Sequence, residues 1–473
     1  MSQTPFSTIT LDSELLDNLA SLGYEFMTPI QAQSLPPILA GQDVIAQGKT
    51  GSGKTAAFGL GLLARLDSSA LQVQSLVLCP TRELADQVAK EIRRLARAVP
   101  NVKILTLSGG KPFRAQAESL EFGAHIVVGT PGRIEDHLRK ETLKLDSLEI
   151  LVLDEADRML EMGFQESVDN IVRQTPKARQ TLLFSATYPE QIQAIAKRIM
   201  VKPVMTKVES THDSSTIQQH FYKVEDDPQR LRAVRLLLLK YRPESTVVFC
   251  NTKREAQEIA ADLRGHGFSA LALHGDLDQR DRDQTLVRFS NKSISVLVAT
   301  DVAARGLDID SLDSVINYHI ARDAEMHVHR IGRTGRAGSS GTAHSLISDK
   351  EGYKVALLQD YLGRPIEGEP LPETSLLSES PNQAQMETLL IDGGKKQKVR
   401  PGDILGALTG EYGIQGTQVG KIDIFDTRAY VAVHRDAAKT ALKKLSEGKL
   451  KGRSFRVRVL HGHPKASEKR SYN

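Results

Sequence analysis

Eight consecutive residues limit what this chain can fold into more than any others: Gly48-Lys49-Thr50-Gly51-Ser52-Gly53-Lys54-Thr55. They satisfy G-x-x-x-x-G-K-[ST], follow the apolar run Asp43 to Ala46, and precede the helix-compatible Ala56-Ala57-Phe58. Strand, glycine-rich loop and helix in that order wrap backbone N–H groups around phosphates at a helix N-terminus. Gly48, Thr50, Gly51, Ser52 and Gly53 are expected to line the phosphates. Lys54 offers a point charge to the β and γ phosphates, and the Thr55 hydroxyl is a ligand for Mg²⁺. The chain should therefore contain an α/β domain with a parallel sheet.

The rest of the pattern multiplies that domain. Short runs rich in Val, Ile and Leu (43–46, 75–79, 124–128, 148–153 and 181–184) alternate with helix-like stretches, as in a sheet covered on both faces. A second series (247–250, 270–273, 295–299, 314–318 and 343–347) repeats the alternation without a phosphate loop. At 473 residues the chain exceeds the roughly 250 to 300 at which one core stops growing. Two tandem RecA-like parallel-sheet lobes are expected, at 1–208 and 216–365. A Pro/Glu/Ser/Gly-rich stretch at 366–385 reads as a linker. Residues 386–461 carry the order βαββαβ of an RRM-like α+β domain, and 462–473 form a basic tail.

Charge and composition narrow the function classes. Residues 391–473 hold 18 Lys and Arg against 8 Asp and Glu, whereas the first 390 hold 44 against 50, so the basic charge is concentrated at the C-terminus. No apolar run approaches the ~18 residues needed to span a bilayer, and the N-terminus lacks the pattern of a secretory signal, so the expectation is a cytoplasmic protein without a membrane partner. Cys79 and Cys250 end apolar strand-like runs and read as buried, reduced thiols.

About 100 residues after the phosphate loop, the apolar run 148–153 ends in Asp154-Glu155-Ala156-Asp157. Carboxylates at the carboxyl edge of such a sheet lie where ligands bind. Asp154 can hold Mg²⁺ directly or through water, and Glu155 can orient and deprotonate an attacking water, since phosphoryl transfer depends on in-line positioning and charge neutralisation. With its companions in order, this tetrad resembles the DEAD-box family of RNA helicases over residues 6 to about 346.

That resemblance implies an ATP- and Mg²⁺-dependent enzyme that remodels RNA, and it assigns further residues. Gly23 to Gln31 is similar to the family's adenine-reading motif, with Gln31 at the base edge and Phe6 as a stacking aromatic. Arg82 in Pro80-Thr81-Arg82-Glu83-Leu84, Gly110 in Gly109-Gly110 and Arg133 in Thr130-Pro131-Gly132-Arg133 resemble RNA-backbone contacts of the first lobe. Ser185-Ala186-Thr187, with Asp157, resembles the motif that couples the acidic tetrad to RNA. In the second series, Thr252, Gly275, Arg282 and Thr300 resemble RNA contacts, and Asp301 and His329 coupling residues. Asp308 would touch the ribose. Arg333 and Arg336, three residues apart in His329 to Arg336, would share a helix face as arginine fingers. Such a finger contributes on the order of 10³ to 10⁵ in rate.

The third unit departs from the common RNA-recognition signature. Its third strand, Arg428 to Val433, carries one aromatic where that signature has several, which makes basic residues better RNA contacts than a stacking sheet: Lys395, Lys396, Arg453 and Arg456 among them. Ile391 to Lys396 and Arg400 to Leu408 resemble the bacterial DbpA-type subgroup of the family. This implies a 23S ribosomal RNA hairpin and the pre-50S particle as partners, in large-subunit assembly; the chain is separately expected to be a monomer. An ATP-gated RNA clamp or annealing chaperone is the alternative reading.

Overall fold

The computed structural model describes residues 4–48, 51–208, 217–304, 312–335 and 341–460. The chain forms two compact units. One is the first lobe; the other holds the second lobe together with the third domain.

The first lobe is a seven-stranded sheet of β1 (Val44–Gln47), β2 (Ser75–Leu78), β3 (Ile104–Leu107), β4 (Ile126–Gly129), β5 (Ile150–Asp154), β6 (Gln180–Ser185) and β7 (Val204–Lys207). Its order is β3-β4-β2-β5-β6-β1-β7, and all pairings are parallel. Successive side chains of a strand face opposite sides. Val77, Val128, Val152, Leu182 and Phe184 accordingly feed one apolar cluster, while Leu76, Leu78, Val127, Leu151, Leu153 and Leu183 feed the other. Burying each such side chain stabilises by about 1.5–3 kcal/mol, which is why the central strands can be apolar throughout. Helix α1 (Pro29–Leu39) packs beside β1, whose carboxyl end delivers the phosphate loop, and against α2 (Lys54–Ala64).

In the second unit, β8 (Ile217–Lys223), β9 (Thr246–Cys250), β10 (Ala270–Leu273), β11 (Val296–Thr300), β12 (Ser314–Asn317) and β13 (Gly341–Ile347) form a parallel sheet ordered β8-β13-β12-β9-β11-β10. The third domain adds β14 (Met386–Ile391), β15 (Val419–Ile424), β16 (Ala429–His434) and β17 (Val457–Val459), antiparallel in the order β15-β16-β14-β17. Two helices, α4 (Pro401–Thr409) and α5 (Ala438–Glu447), cover one face of that sheet, where Leu389, Ile391, Val431 and Val433 meet Ile404, Leu408 and Ala441. The other face turns to the second lobe. There Leu390 and Tyr430 pack with Val287 of α3 (Gln279–Ser290). The Thr388 hydroxyl is buried between Asn291 (2.9 Å) and Ser293 (2.8 Å).

Two expectations change. Strands β3, β7 and β8 are absent from the apolar runs, because edge strands pair on one side only and tolerate mixed sequences such as Ile217-Gln218-Gln219-His220. The stretch 366–385 is not a free linker. Its Glu369 backbone pairs with Phe221 and Lys223 on the open edge of β8, and the Glu369 carboxylate meets His220 at 2.9 Å. Leu371 and Leu376 pack on the lobe's core, and Arg242 binds Glu379 and Asn382. Both cysteines are buried and unpaired with each other.

Candidate functional site

The phosphate loop leaves β1 at Gly48, whose N–H donates to the Ser185 carbonyl (3.0 Å), so the ends of β1 and β6 are tied at the loop's root. Gly53 enters α2 at φ +94°, and a Cβ there would come within 2.5 Å of Gln31 Nε2; glycine is required. The Gln31 amide itself accepts the Thr28 N–H (2.8 Å) and donates to the Gly53 carbonyl (3.1 Å). A residue expected only at a base edge therefore also fastens the phosphate loop to the start of α1. Lys54 is buried at the first turn of α2, and its Nζ donates to the Gly48 carbonyl at 2.7 Å. Gly51 bends the loop at φ +80°; Ser52 and Thr55 are partly exposed on it. Thr50 lies outside the described residues. Phe6 is 3% exposed, edge-on to Tyr24 in the lobe's apolar cluster. Its ring has a packing role and offers no open face to a base, which corrects the stacking expectation.

The acidic tetrad follows β5. Asp154 is buried, and burial pushes its carboxyl up to about 7, against the pull of Lys54 and with the Glu155 charge adding to the rise. Glu155 takes the left-handed conformation at φ +50°; its N–H donates to Asp154 Oδ1 (3.0 Å), and its carboxylate lies 3.3 Å from Arg158. Strain of this kind in a non-glycine residue concentrates at functional positions. A carboxyl whose burial outweighs the pull of a nearby lysine gains when a further positive charge, such as a divalent cation, arrives beside it. Among the described residues no group of three or more His, Cys, Asp or Glu could hold a metal. The donor set therefore fits an ion held chiefly by phosphates and water.

Asp157 is the junction of the first lobe. Its Oδ2 accepts the Ala186 N–H (3.2 Å), the Thr187 N–H (3.0 Å) and the Thr187 hydroxyl (3.0 Å), and its own N–H donates to Ser185 Oγ (3.3 Å). The acidic tetrad and Ser185-Ala186-Thr187 are thus one hydrogen-bonded body.

The three segments with RNA-type loops also converge. A Cβ on Gly109 would meet Arg82 Nη2 at 2.9 Å, and Arg133 Nη1 donates to the Lys111 carbonyl (3.0 Å) and to Gln116 Oε1 (2.8 Å). Gly110, between them, turns at φ +81°. Gln116, which sequence reasoning missed, is buried and also donates to the Ser108 carbonyl (2.9 Å). A lone glutamine on an amphipathic helix carries no signal of this.

In the second lobe Thr252 caps the helix Lys253–Gly265, accepting the Glu255 N–H at 3.1 Å, and Lys253 pairs with Asp276 beside Gly275 at 2.6 Å. Arg282 donates to the Ala303 carbonyl (2.8 Å), which joins α3 to the short helix Asp301–Ala304 that follows Thr300. Asp301 grips Arg330 through two bonds of 2.7 and 2.8 Å. Arg330 is 1% exposed, also donates to the His319 carbonyl (2.8 Å), and was missed as a site residue. His329 precedes it on the helix Ala324–Ile331. That helix ends at Ile331 with Gly332 as its cap, so buried Arg333 lies in the following turn and not on a helix face as expected. The reason is local: Thr334 bridges to Leu312 and Gly335 turns at φ +66°, both incompatible with another helical turn. Asp308 and Arg336 lie outside the described residues.

In the third domain Lys395 and Lys396 are exposed on the turn after β14, held by bonds from their N–H groups to the Phe425 and Asp426 carbonyls (2.9 Å each). Gly394 there has no room for a side chain, since a Cβ would lie 2.1 Å from the Phe425 oxygen. Arg453 and Arg456 are exposed before β17.

A phosphate loop, an acid-ended strand and a second parallel-sheet lobe define a two-lobed α/β protein of the phosphate-loop nucleotide-binding class. Residues 28–195 match the DEAD/DEAH box helicase family, 229–338 the helicase conserved C-terminal domain, and 388–459 the DbpA RNA binding domain. The chain is 55% identical over 458 residues to the ATP-dependent RNA helicase DbpA of Escherichia coli, covering 97% of this chain and 100% of that one. It is 45% identical to the DEAD-box ATP-dependent RNA helicase CshA of Bacillus cereus, over 74% of this chain and 66% of that one. Among solved structures, S. cerevisiae Dbp5 bound to RNA and ADP BeF3 aligns with a TM-score of 0.71 at 30% identity, covering 78% of this chain and 96% of that one. The chain belongs to the DEAD-box ATP-dependent RNA helicases, in the DbpA-type subgroup. No helix among the described residues is long and apolar enough to cross a membrane.

Proposed function

We propose that this helicase is an RNA-stimulated ATPase that locally opens short duplexes of 23S ribosomal RNA during large-subunit assembly, working as a cytoplasmic monomer on a pre-50S particle. The observation that carries the coupling is Asp157, whose carboxylate binds both the backbone and the hydroxyl of Thr187. A shift at the catalytic base two residues earlier, Glu155, is thereby passed to the Ser185-Ala186-Thr187 turn. The ribosomal target is supported by the match of 388–459 to the DbpA RNA binding domain and by the basic charge of that region.

In this reading Gln31 recognises adenine while holding the phosphate loop, and the loop N–H groups with Lys54 take the β and γ phosphates. Thr55 and Asp154 hold Mg²⁺, which neutralises phosphate charge when bound. Glu155 orients and deprotonates the attacking water. Arg333 and Arg336 stabilise the transferring phosphoryl group, and Asp308 contacts the ribose. Arg82, Gly110, Arg133, Thr252, Gly275, Arg282 and Thr300 grip the RNA backbone, while Lys395, Lys396, Arg453 and Arg456 hold the hairpin. Asp301 and His329 link the second lobe's RNA and nucleotide residues.

The test measures ATP turnover with and without a 23S rRNA hairpin fragment in wild type and Glu155→Gln. Strong stimulation by the hairpin in wild type, abolished in the variant, is the expected result. Turnover indifferent to RNA would sink the proposal, and normal particle assembly by Glu155→Gln would favour an ATP-gated clamp.

A further inference from the structure

The third domain holds four aromatic side chains within residues 386–460, and three of them are packed inward. Tyr430 is 2% exposed on the sheet face that meets Val287, with Phe425 edge-on to it at 5.3 Å. Phe455 packs with the core between sheet and helices, over Gly393. The sheet face on which an RRM-like domain stacks bases is thus engaged by the second lobe through Leu390, Tyr430 and the buried Thr388 network.

The fourth aromatic behaves differently. Tyr412 is 88% exposed, the most exposed large apolar side chain among the described residues. It also takes the left-handed conformation at φ +56°, which a bulky residue adopts only at a conformational cost that glycine or asparagine would avoid. The loop does not need its side chain. The Gly413 N–H bonds the Gly410 carbonyl (2.7 Å), the Ile414 N–H bonds the Leu408 carbonyl (2.9 Å), and Ile414 is buried in the domain core. Lys444 of α5 donates its ammonium to the Glu411 carbonyl, fixing positive charge one residue from the ring. A rigid loop thus holds out an aromatic that stabilises nothing, beside a cation, in a domain that binds RNA.

We infer that Tyr412 is a stacking platform for an unpaired base of the RNA held by the third domain, taking the place of the sheet aromatics that face the second lobe. The inference rests on the RNA-binding reading of that domain. Any base offers a π-face, so Tyr412 contributes affinity and register while Lys444 beside it takes a phosphate.

The experiment uses the full chain and a 23S rRNA hairpin fragment whose loop nucleotides are replaced one at a time by 2-aminopurine. Wild type and Tyr412→Phe are expected to quench the fluorophore at one loop position. Tyr412→Gly should lose that quenching and bind the hairpin roughly 5- to 150-fold more weakly, with a melting temperature equal to or above wild type. Equal hairpin affinity of wild type and Tyr412→Gly overturns the inference and leaves the ring to a protein partner. If wild type itself bound this hairpin no better than an unrelated one, the ribosomal reading would fall, and the inference with it.

Discussion

Asp157 and Thr187 are joined twice, the carboxylate Oδ2 accepting both the Thr187 N–H and its hydroxyl at 3.0 Å. The pair ties the segment that follows β5 to the segment that follows β6, its neighbour in the same sheet. Replacing Thr187 by Val removes the hydroxyl and keeps the N–H. A hydrogen bond to a charged group contributes about 1.5–3 kcal/mol, so the turn should loosen without the lobe unfolding. Strand displacement per ATP is expected to fall on the order of tenfold, with RNA-stimulated turnover retained. Parallel displacement and phosphate-release assays check this, and an equal fall in both would show that the pair serves catalysis rather than coupling.

Arg330 and Asp301 form the buried counterpart in the second lobe. Removing one partner of such a pair leaves an uncompensated charge and costs about 3–5 kcal/mol, whereas an apolar replacement of both is often near neutral. Arg330→Met is therefore expected to lower the unfolding midpoint of the second unit, and Arg330→Met with Asp301→Leu to recover part of it. Denaturant unfolding followed by probes in each unit separates the effect from the first lobe.

His327 and His344 give the second unit an acid limit. Burial, aided by Arg330 for the first and His220 for the second, lowers each from the ordinary imidazole value to about 3. The folded state thus keeps both neutral while the unfolded chain protonates them below 6.5. Their stabilising contribution is complete above pH 6.5 and is lost as pH falls toward 3. Stability should decline by about 1.4 kcal/mol per pH unit for each histidine in that window. His344→Phe, which also removes two buried ring nitrogens without hydrogen-bond partners, should flatten the acid slope in thermal melts taken from pH 7 to 4.

What the sequence discloses and what it hides divide along the reach of local signals. The phosphate loop, the acid-ended strand and the central strands are legible because loop chemistry and two-sided burial leave continuous apolar runs bounded by characteristic residues. Arg330 is hidden because its burial depends on Asp301, 29 positions earlier, and on a carbonyl at the end of another strand. In sequence it is one of three arginines in a motif that resembles a solvated helix. Arg333 reads as helical because nothing apolar marks the helix end; Gly332 and the Thr334 bridge mark it only in three dimensions. Phe6 and the 366–385 segment fail for a related reason: an aromatic and two leucines in polar surroundings find their packing surface elsewhere in the chain.

The last prediction concerns Thr388, whose hydroxyl is the polar centre of the contact between the third domain and the second lobe. Thr388→Val preserves the shape and the apolar packing of Leu390, Tyr430 and Val287 while leaving Asn291 and Ser293 with buried groups unmet. Such groups cost about 1–3 kcal/mol, enough to shift a docking equilibrium roughly 5- to 150-fold. Dyes on the second lobe and the third domain should report a separated population in the variant, with hairpin affinity close to that of wild type because the RNA-binding residues are untouched. Unwinding of a duplex adjoining the hairpin should fall, since a loosely tethered domain no longer delivers that duplex to the lobes at a fixed distance. An unchanged distance distribution would mean that the apolar contact alone holds the domain in place.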